Sequence, residues 1–143
     1  MNLRECAKLN KLVLINNSCG GCFLDAIIPE VVQLPLRHLE LRGNRLYRAD
    51  LFPVKEEEEA RERAFVELLG TLGKCKTLEK LSLADMNLVF VAADDMTTRM
   101  VLRLMQELPL LTALSLCENE MDPAARAALE AAKPAKLQIT FTF

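Results

Sequence analysis

The segment Leu36-Arg37-His38-Leu39-Glu40-Leu41-Arg42-Gly43-Asn44-Arg45-Leu46 has the form L-x-x-L-x-L-x-x-N-x-L, and that form returns along the chain. Leu9, Leu12, Leu14, Asn17 and Cys19 fill the same slots before it. Leu78, Leu81, Leu83 and Leu88 fill them after it, with Met86 in the Asn slot and Asn87 one place late. Leu111, Leu114, Leu116, Asn119 and Met121 make a fourth copy, and Leu137 with Ile139 begin a partial fifth. A pattern repeated in register constrains a fold more than any single motif. Each copy is one supersecondary unit with an apolar flank that only a neighbouring copy can cover. The L-x-L centre of each copy alternates like a strand with one buried face. The Asn that follows can bond the backbone where the chain leaves the strand, and a ladder of such residues ties successive turns together.

The first leucines of the copies are Leu9, Leu36, Leu78 and Leu111, and Pro134 holds that slot in the last. The first spacing suits a unit of one strand and one helix, which takes roughly 20–29 residues. The next two spacings are longer and read as insertions, and the last is trimmed. Strands are expected around residues 11–15, 38–42, 80–84, 113–117 and 136–142. Phe65, Leu68, Leu69 and Leu72 fall on one helical face. Met100, Val101, Leu104, Met105 and Leu108 make a second such stripe, ended by Pro109. Asp122-Pro123 reads as an N-cap and first-turn proline for a helix over Ala124–Ala132. Phe23–Leu34 is expected to be helical too, with Pro29 beginning or kinking it. Together these predict an α/β fold in one domain, 1–143. It is a short solenoid, a partial horseshoe of about five parallel strands with helices on the convex face.

Repeats of this length, with a helix after each strand, resemble the ribonuclease-inhibitor-like class of leucine-rich repeats. The likeness runs from about Leu9 to Ile139. That class includes ribonuclease inhibitor, the GTPase-activating protein of Ran and the sensor domains of NOD-like receptors. The resemblance implies a partner-binding scaffold. A role as a GTPase regulator stands only by family analogy, since no residue here matches that activity. The glycine that the family often has four residues after the last apolar slot is replaced by Phe23, Asp50, Ala92 and Ala125.

Composition narrows the function. A net charge of −2 and a pI near 5.5 give no global attraction to nucleic acid or membrane, and neither is expected as a partner. No apolar run reaches the roughly 20 residues of a membrane span. Met1-Asn2-Leu3-Arg4-Glu5 lacks the basic-then-apolar order of a signal peptide. The cysteines, Cys6, Cys19, Cys22, Cys75 and Cys117, are odd in number, and Cys19 takes an apolar slot. Five free thiols in a reducing, cytoplasmic setting are expected. Cys19-Gly20-Gly21-Cys22 has no second ligand pair at metal-binding spacing and reads as a tight turn. His38, the only histidine, has no marked nucleophile or orienting partner. No catalytic, metal or cofactor site is expected, and the chain reads as a non-enzyme. Lys55–Arg63 is a solvated helix start whose acids suit the helix dipole. Tyr47–Val54 is an insertion expected to pack over the helix end, with partner docking through its Tyr47, Leu51, Phe52 and Pro53 as the alternative.

The expected function is a non-catalytic protein–protein interaction module that binds a partner through the concave sheet face. Alternation along the strands sends Lys11, Val13 and Ile15 outward, then His38, Glu40 and Arg42, Lys80, Ser82 and Ala84, Ala113, Ser115 and Cys117, and Lys136, Gln138 and Thr140. The candidate partner-binding residues are Lys11, His38, Glu40, Arg42, Lys80, Ser82, Ser115, Lys136 and Gln138. Lys11, Arg42, Lys80 and Lys136 stand there against the single carboxylate Glu40, although the whole chain is acidic. That balance suits a protein partner with an acidic surface. The alternative is a structural subunit, or a segment of a larger assembly, docking through its open solenoid ends. Leu137, Ile139, Phe141 and Phe143 alternate on one face of the last strand, whose edge is expected to allow self-association.

Overall fold

A computed structural model of the chain describes residues 8–15, 27–44, 63 and 65–142. Among these residues the strands are β1 (Lys11–Val13), β2 (His38–Glu40), β3 (Lys80–Ser82), β4 (Val89–Phe90), β5 (Ala113–Ser115), β6 (Glu120–Met121) and β7 (Gln138–Thr140). The helices are α1 (27–31), α2 (65–72), α3 (Met96–Glu107) and α4 (Pro123–Ala132). The fold is α/β. Five strands form one parallel sheet in the order β1-β2-β3-β5-β7, and β4 pairs with β6, also in parallel. Each long strand adds beside the one before it, with a helix in the intervening chain. The Cys19–Cys22 turn, the Tyr47–Val54 insertion and, apart from Arg63, the Lys55–Arg63 charge run lie outside the described residues.

The centres of the strands are the repeat residues. Leu12, Leu39, Leu81, Leu114 and Ile139 stand opposite one another in a single row across the sheet. Leu39, Leu81 and Leu114 are buried, whereas Leu12 and Ile139 are only partly so. The difference follows from position, because an inner strand has a covering neighbour on both sides and an outer strand on one. The same row joins a core that includes Phe65, Leu69 and Leu72 of α2, Val101, Leu104 and Met105 of α3, and Ala125 and Leu129 of α4. The helices therefore pack on one side of the sheet, and α3 also packs against α4 and β4.

Backbone details repeat as the side chains do. The carbonyl just before each of β1, β2 and β3 accepts two N–H groups from the segment that forms the next strand of the sheet. Asn10 O takes Arg37 N and His38 N at 2.8 and 3.0 Å, and Arg37 O takes Glu79 N and Lys80 N at 2.8 and 2.9 Å. Glu79 O takes Thr112 N and Ala113 N at 2.8 and 3.2 Å. Beyond the strands the chain turns through a left-handed residue at the same place in three units, at Gly43 (φ 76°), Asp85 (φ 50°) and Glu118 (φ 59°). Only glycine adopts this conformation without steric cost.

The two slot-nine asparagines among the described residues, Asn44 and Asn119, act as their spacing predicts. Asn44 is buried, and its Nδ2 donates to Leu41 O at 2.8 Å and to Leu14 O of the preceding unit. Asn119 Nδ2 donates to Leu116 O of its own unit and Leu83 O of the preceding one, at 3.1 and 2.9 Å. Its Oδ1 accepts from Met86 N and Leu88 N at 3.1 and 3.0 Å. Met86, which replaces Asn in the third copy, is fully buried instead. A thioether cannot donate a hydrogen bond, so the ladder is interrupted there.

Helix α4 begins as the sequence indicates, and α3 begins at a cap that the sequence analysis did not single out. Asp122 caps α4, accepting from Ala124 N at 2.8 Å ahead of Pro123. Asp95 caps α3, accepting from Thr98 N at 2.8 Å while its other oxygen takes Val91 N at 2.7 Å. Pro29 lies inside helical residues 27–31.

The last copy differs from the sequence-based register. Gln138 pairs with Ala113 and Thr140 with Ser115, so Ile139, not Leu137, occupies the central row. Leu137 is buried just before the strand, where its N–H bonds Pro134 O at 3.0 Å. Strict alternation from Leu137 to Phe141 fits either frame, because a shift of two residues keeps every side chain on its face. Hydrogen bonding to β5 selects one frame, with Gln138 N donating to Thr112 O at 2.9 Å.

Candidate functional site

The side of the sheet away from the helices carries the alternate strand residues. Register sets them in rows. The first row is Lys11, His38, Lys80, Ala113 and Gln138, and the second is Val13, Glu40, Ser82, Ser115 and Thr140. These side chains are half or fully exposed, whereas the intervening leucines are buried. Neighbouring strands lie about 4.8 Å apart, which places two lysines and a histidine side by side on β1, β2 and β3.

The first three residues of the first row and residues just before the strands line a depression of about 400 Å³. Lys11, His38 and Lys80 contribute from the strands, and Asn10, Arg37, Glu79 and Thr112 from the positions preceding them. Arg37 and Glu79 form an ion pair across β2 and β3, with Arg37 Nη2 also donating to Glu79 Oε1 at 3.2 Å. The Glu79 hydrogen bond raises the Arg37 pKa above its ordinary value, and the same bond lowers that of Glu79. Among the described residues neither Lys11 nor Lys80 takes part in an ion pair. The positive character of this end of the sheet therefore comes from these two lysines.

His38 sits between them. Partial burial holds its imidazole below the ordinary histidine range, Lys11 and Lys80 push it further down, and Glu40 opposes them. The ring is thus predominantly uncharged at pH 7. It gains its charge only on acidification, or when an added anion offsets the two lysines.

The third outward position behaves differently from the alternation-based expectation. Ala84 and Cys117 are buried, because the chain leaves the extended conformation after three strand residues and turns through Asp85 and Glu118. Cys117 Sγ lies 3.6 Å from Thr140 O. Arg42 is half-exposed and pairs with Glu118 across the intervening unit at 3.3 Å, so its charge is matched locally. Lys136 lies ahead of β7, outside the first row, and donates to Pro109 O. Gln138 takes the row position that the sequence-based frame assigned to Lys136. Of the nine candidate residues, the structure thus gathers Lys11, His38, Glu40 and Lys80 on three adjacent strands. Ser82, Ser115 and Gln138 continue the same face, and Arg42 and Lys136 lie at its margins. Exposed Val13 and Ile15 add apolar surface on the β1 side.

Arg37, Glu79 and Thr112 escaped the sequence reading because they precede the strands. Their recurrence immediately before slot three of each copy was the available signal. Cys75 and Cys117 are both buried free thiols. Among the described residues, no three of His, Cys, Asp and Glu converge as a metal-ligand set would, and no helix is long and apolar enough to cross a membrane. No protein-family model matches the chain, and no curated protein matches it significantly.

Proposed function

We propose that this chain is a short leucine-rich-repeat solenoid that works as a non-catalytic interaction module, binding an acidic protein partner through the open face of its sheet. The observation that carries the reading is the Lys11–His38–Lys80 row. It presents two lysines that, among the described residues, have no carboxylate ion-pair partner, on a parallel sheet within a chain of net negative charge. The repeat assignment draws support from the shared strand register, the equivalent left-handed turn residues and the bridging asparagines. Repeat arrays offer such faces because the scaffold fixes side chains at regular intervals without extra ordering entropy on binding.

The test compares wild-type protein with Lys11→Glu/Lys80→Glu in quantitative binding to a partner captured from native extract. The captured partner is expected to bind stoichiometrically, to be released as salt rises, and to lose at least tenfold in affinity for the double variant, with folding unchanged by circular dichroism. Affinity indifferent to both salt and the double substitution overturns the reading.

A second reading is a segment that docks through the ends of its sheet. It is favoured by β1 and β7, each of which pairs on one side only among the described residues. Gln138 and Thr140 turn their backbone groups to β5, with Leu116 N bonding Thr140 O at 2.8 Å, so Ile139 presents its N–H and C=O outward. Sedimentation at rising concentration is expected to show reversible association under this reading. A monomer at every concentration excludes self-pairing.

A further inference from the structure

We infer that the groove at the leading ends of β1, β2 and β3 is the seat for a carboxylate of the acidic partner, and that filling it loads a proton onto His38. This rests on the open-face reading above and deepens it by locating the acid seat and coupling it to pH. The geometry is a three-strand row in which the imidazole is flanked on both sides by ammonium groups, Lys11 opposite it on β1 and Lys80 opposite it on β3. The other charged groups around it are Glu40 on its own strand and the Arg37–Glu79 pair, whose charges answer each other. The groove they enclose, about 400 Å³, admits a carboxylate and its stem.

Without a bound anion, a protonated His38 adds a third positive charge between two others, which is unfavourable. A carboxylate lying across the row reverses the balance. It pairs with both lysines, and an imidazolium beneath it becomes a further charge-assisted donor where a neutral ring could offer only one N–H. The proton comes from solvent and no covalent bond changes. By linkage, a ligand that binds the protonated form more tightly raises the His38 pKa, and affinity climbs as pH falls by the same factor. A shift of one unit corresponds to a tenfold gain in affinity. The module then holds its partner more tightly in acidified surroundings.

His38 is the only histidine in the chain, so its ring signals in an NMR titration need no assignment variants. The probe is a hexa-aspartate peptide, whose side chains remain ionised above pH 5. The His38 pKa is measured in the full chain with and without saturating peptide, at low salt, and peptide affinity is measured at pH 7.5 and 5.5. The expected result is an upward pKa shift of at least half a unit on binding. A threefold or greater rise in affinity at pH 5.5 should accompany it and vanish in His38→Gln. Peptide that perturbs β1–β3 amides but leaves the His38 pKa unchanged overturns the proton coupling while the open-face reading stands. Peptide that binds without perturbing β1–β3, or does not bind at all, overturns the carboxylate seat. The captured-partner measurement with Lys11→Glu/Lys80→Glu then decides separately whether the face binds anything.

Discussion

At the scale of single residues, the row leucines and His38 make opposite contributions. Leu39 and Leu81 are buried between sheet and helices, with exposures of 0% and 3%. Truncation to alanine removes apolar area and leaves a cavity that a close-packed interior fills poorly, at a cost of about 2–5 kcal/mol. Chemical denaturation of Leu39→Ala and Leu81→Ala is expected to fall in that range, and changes below about 0.5 kcal/mol at both sites would contradict the packing. His38 instead titrates against stability. Its folded-state pKa lies below the ordinary value near 6.5, so as pH falls through 6.5 the unfolded chain takes up the proton before the folded one does. The stability present above pH 6.5 is therefore lost progressively as pH falls toward the folded pKa. His38→Gln is expected to flatten the dependence of stability on pH between 7 and 5 relative to wild type. Parallel profiles for the two proteins would show that burial and the flanking lysines do not lower the pKa of the ring.

At the scale of elements, the helix starts are where one carboxylate does several jobs. Asp95 accepts from Thr98 N and from Val91 N, so it joins the cap of α3 to the end of β4. Burial raises its pKa, but hydrogen bonds from Thr98, Val91 and Ala92 together outweigh burial, and the net shift is downward. The cap's contribution is therefore full above the ordinary aspartate pKa and is lost as pH falls through the lower folded value. Asp95→Ala is expected to cost about 0.5–2 kcal/mol at neutral pH, and Asp95→Asn much less, because both oxygen-bearing side chains can cap. Asp95→Asn should also lose the part of the acid sensitivity below about pH 4 that this carboxyl supplies. Thermal unfolding across pH checks both statements. Equal losses for the alanine and asparagine variants would assign the effect to something other than hydrogen bonding.

At the scale of the whole molecule, one apolar cluster runs from Ile28 through α2 and α3 to Leu137. Strand–helix segments that share one core and exchange backbone hydrogen bonds with their neighbours are expected to unfold together. Cys75 follows α2, and Cys117 lies just past β5, both buried. Burial also raises the Cys75 pKa, which slows its reaction further. Variants in which Cys75 or Cys117 is the single cysteine kept, the other four being replaced by alanine, are expected to react with a thiol reagent over the same denaturant range in which far-ultraviolet dichroism is lost. Early reaction of Cys117 alone would mean that the β5–β7 end opens independently.

Local pattern alone determined the parallel strands, the helix stripes and the asparagine bridges, because each depends on residues within one copy and on periods the backbone imposes. The start of each of the first four sheet strands and the Asp122 cap of α4 were legible for that reason. The outer limits of the open face were not. Whether Ala84 and Cys117 face solvent depends on left-handed turns at Asp85 and Glu118, residues that do not advertise that conformation. The frame of the last strand was equally hidden, since Leu137–Phe141 alternates identically in both frames and only bonding to β5 separates them. Arg42 reads as a free cation until the turn two units away brings Glu118 to it. The sequence determined which side chains each unit offers; tertiary packing decided which of them stay charged, exposed and adjacent. Charge pairing and register are relations between copies, and no single copy encodes them.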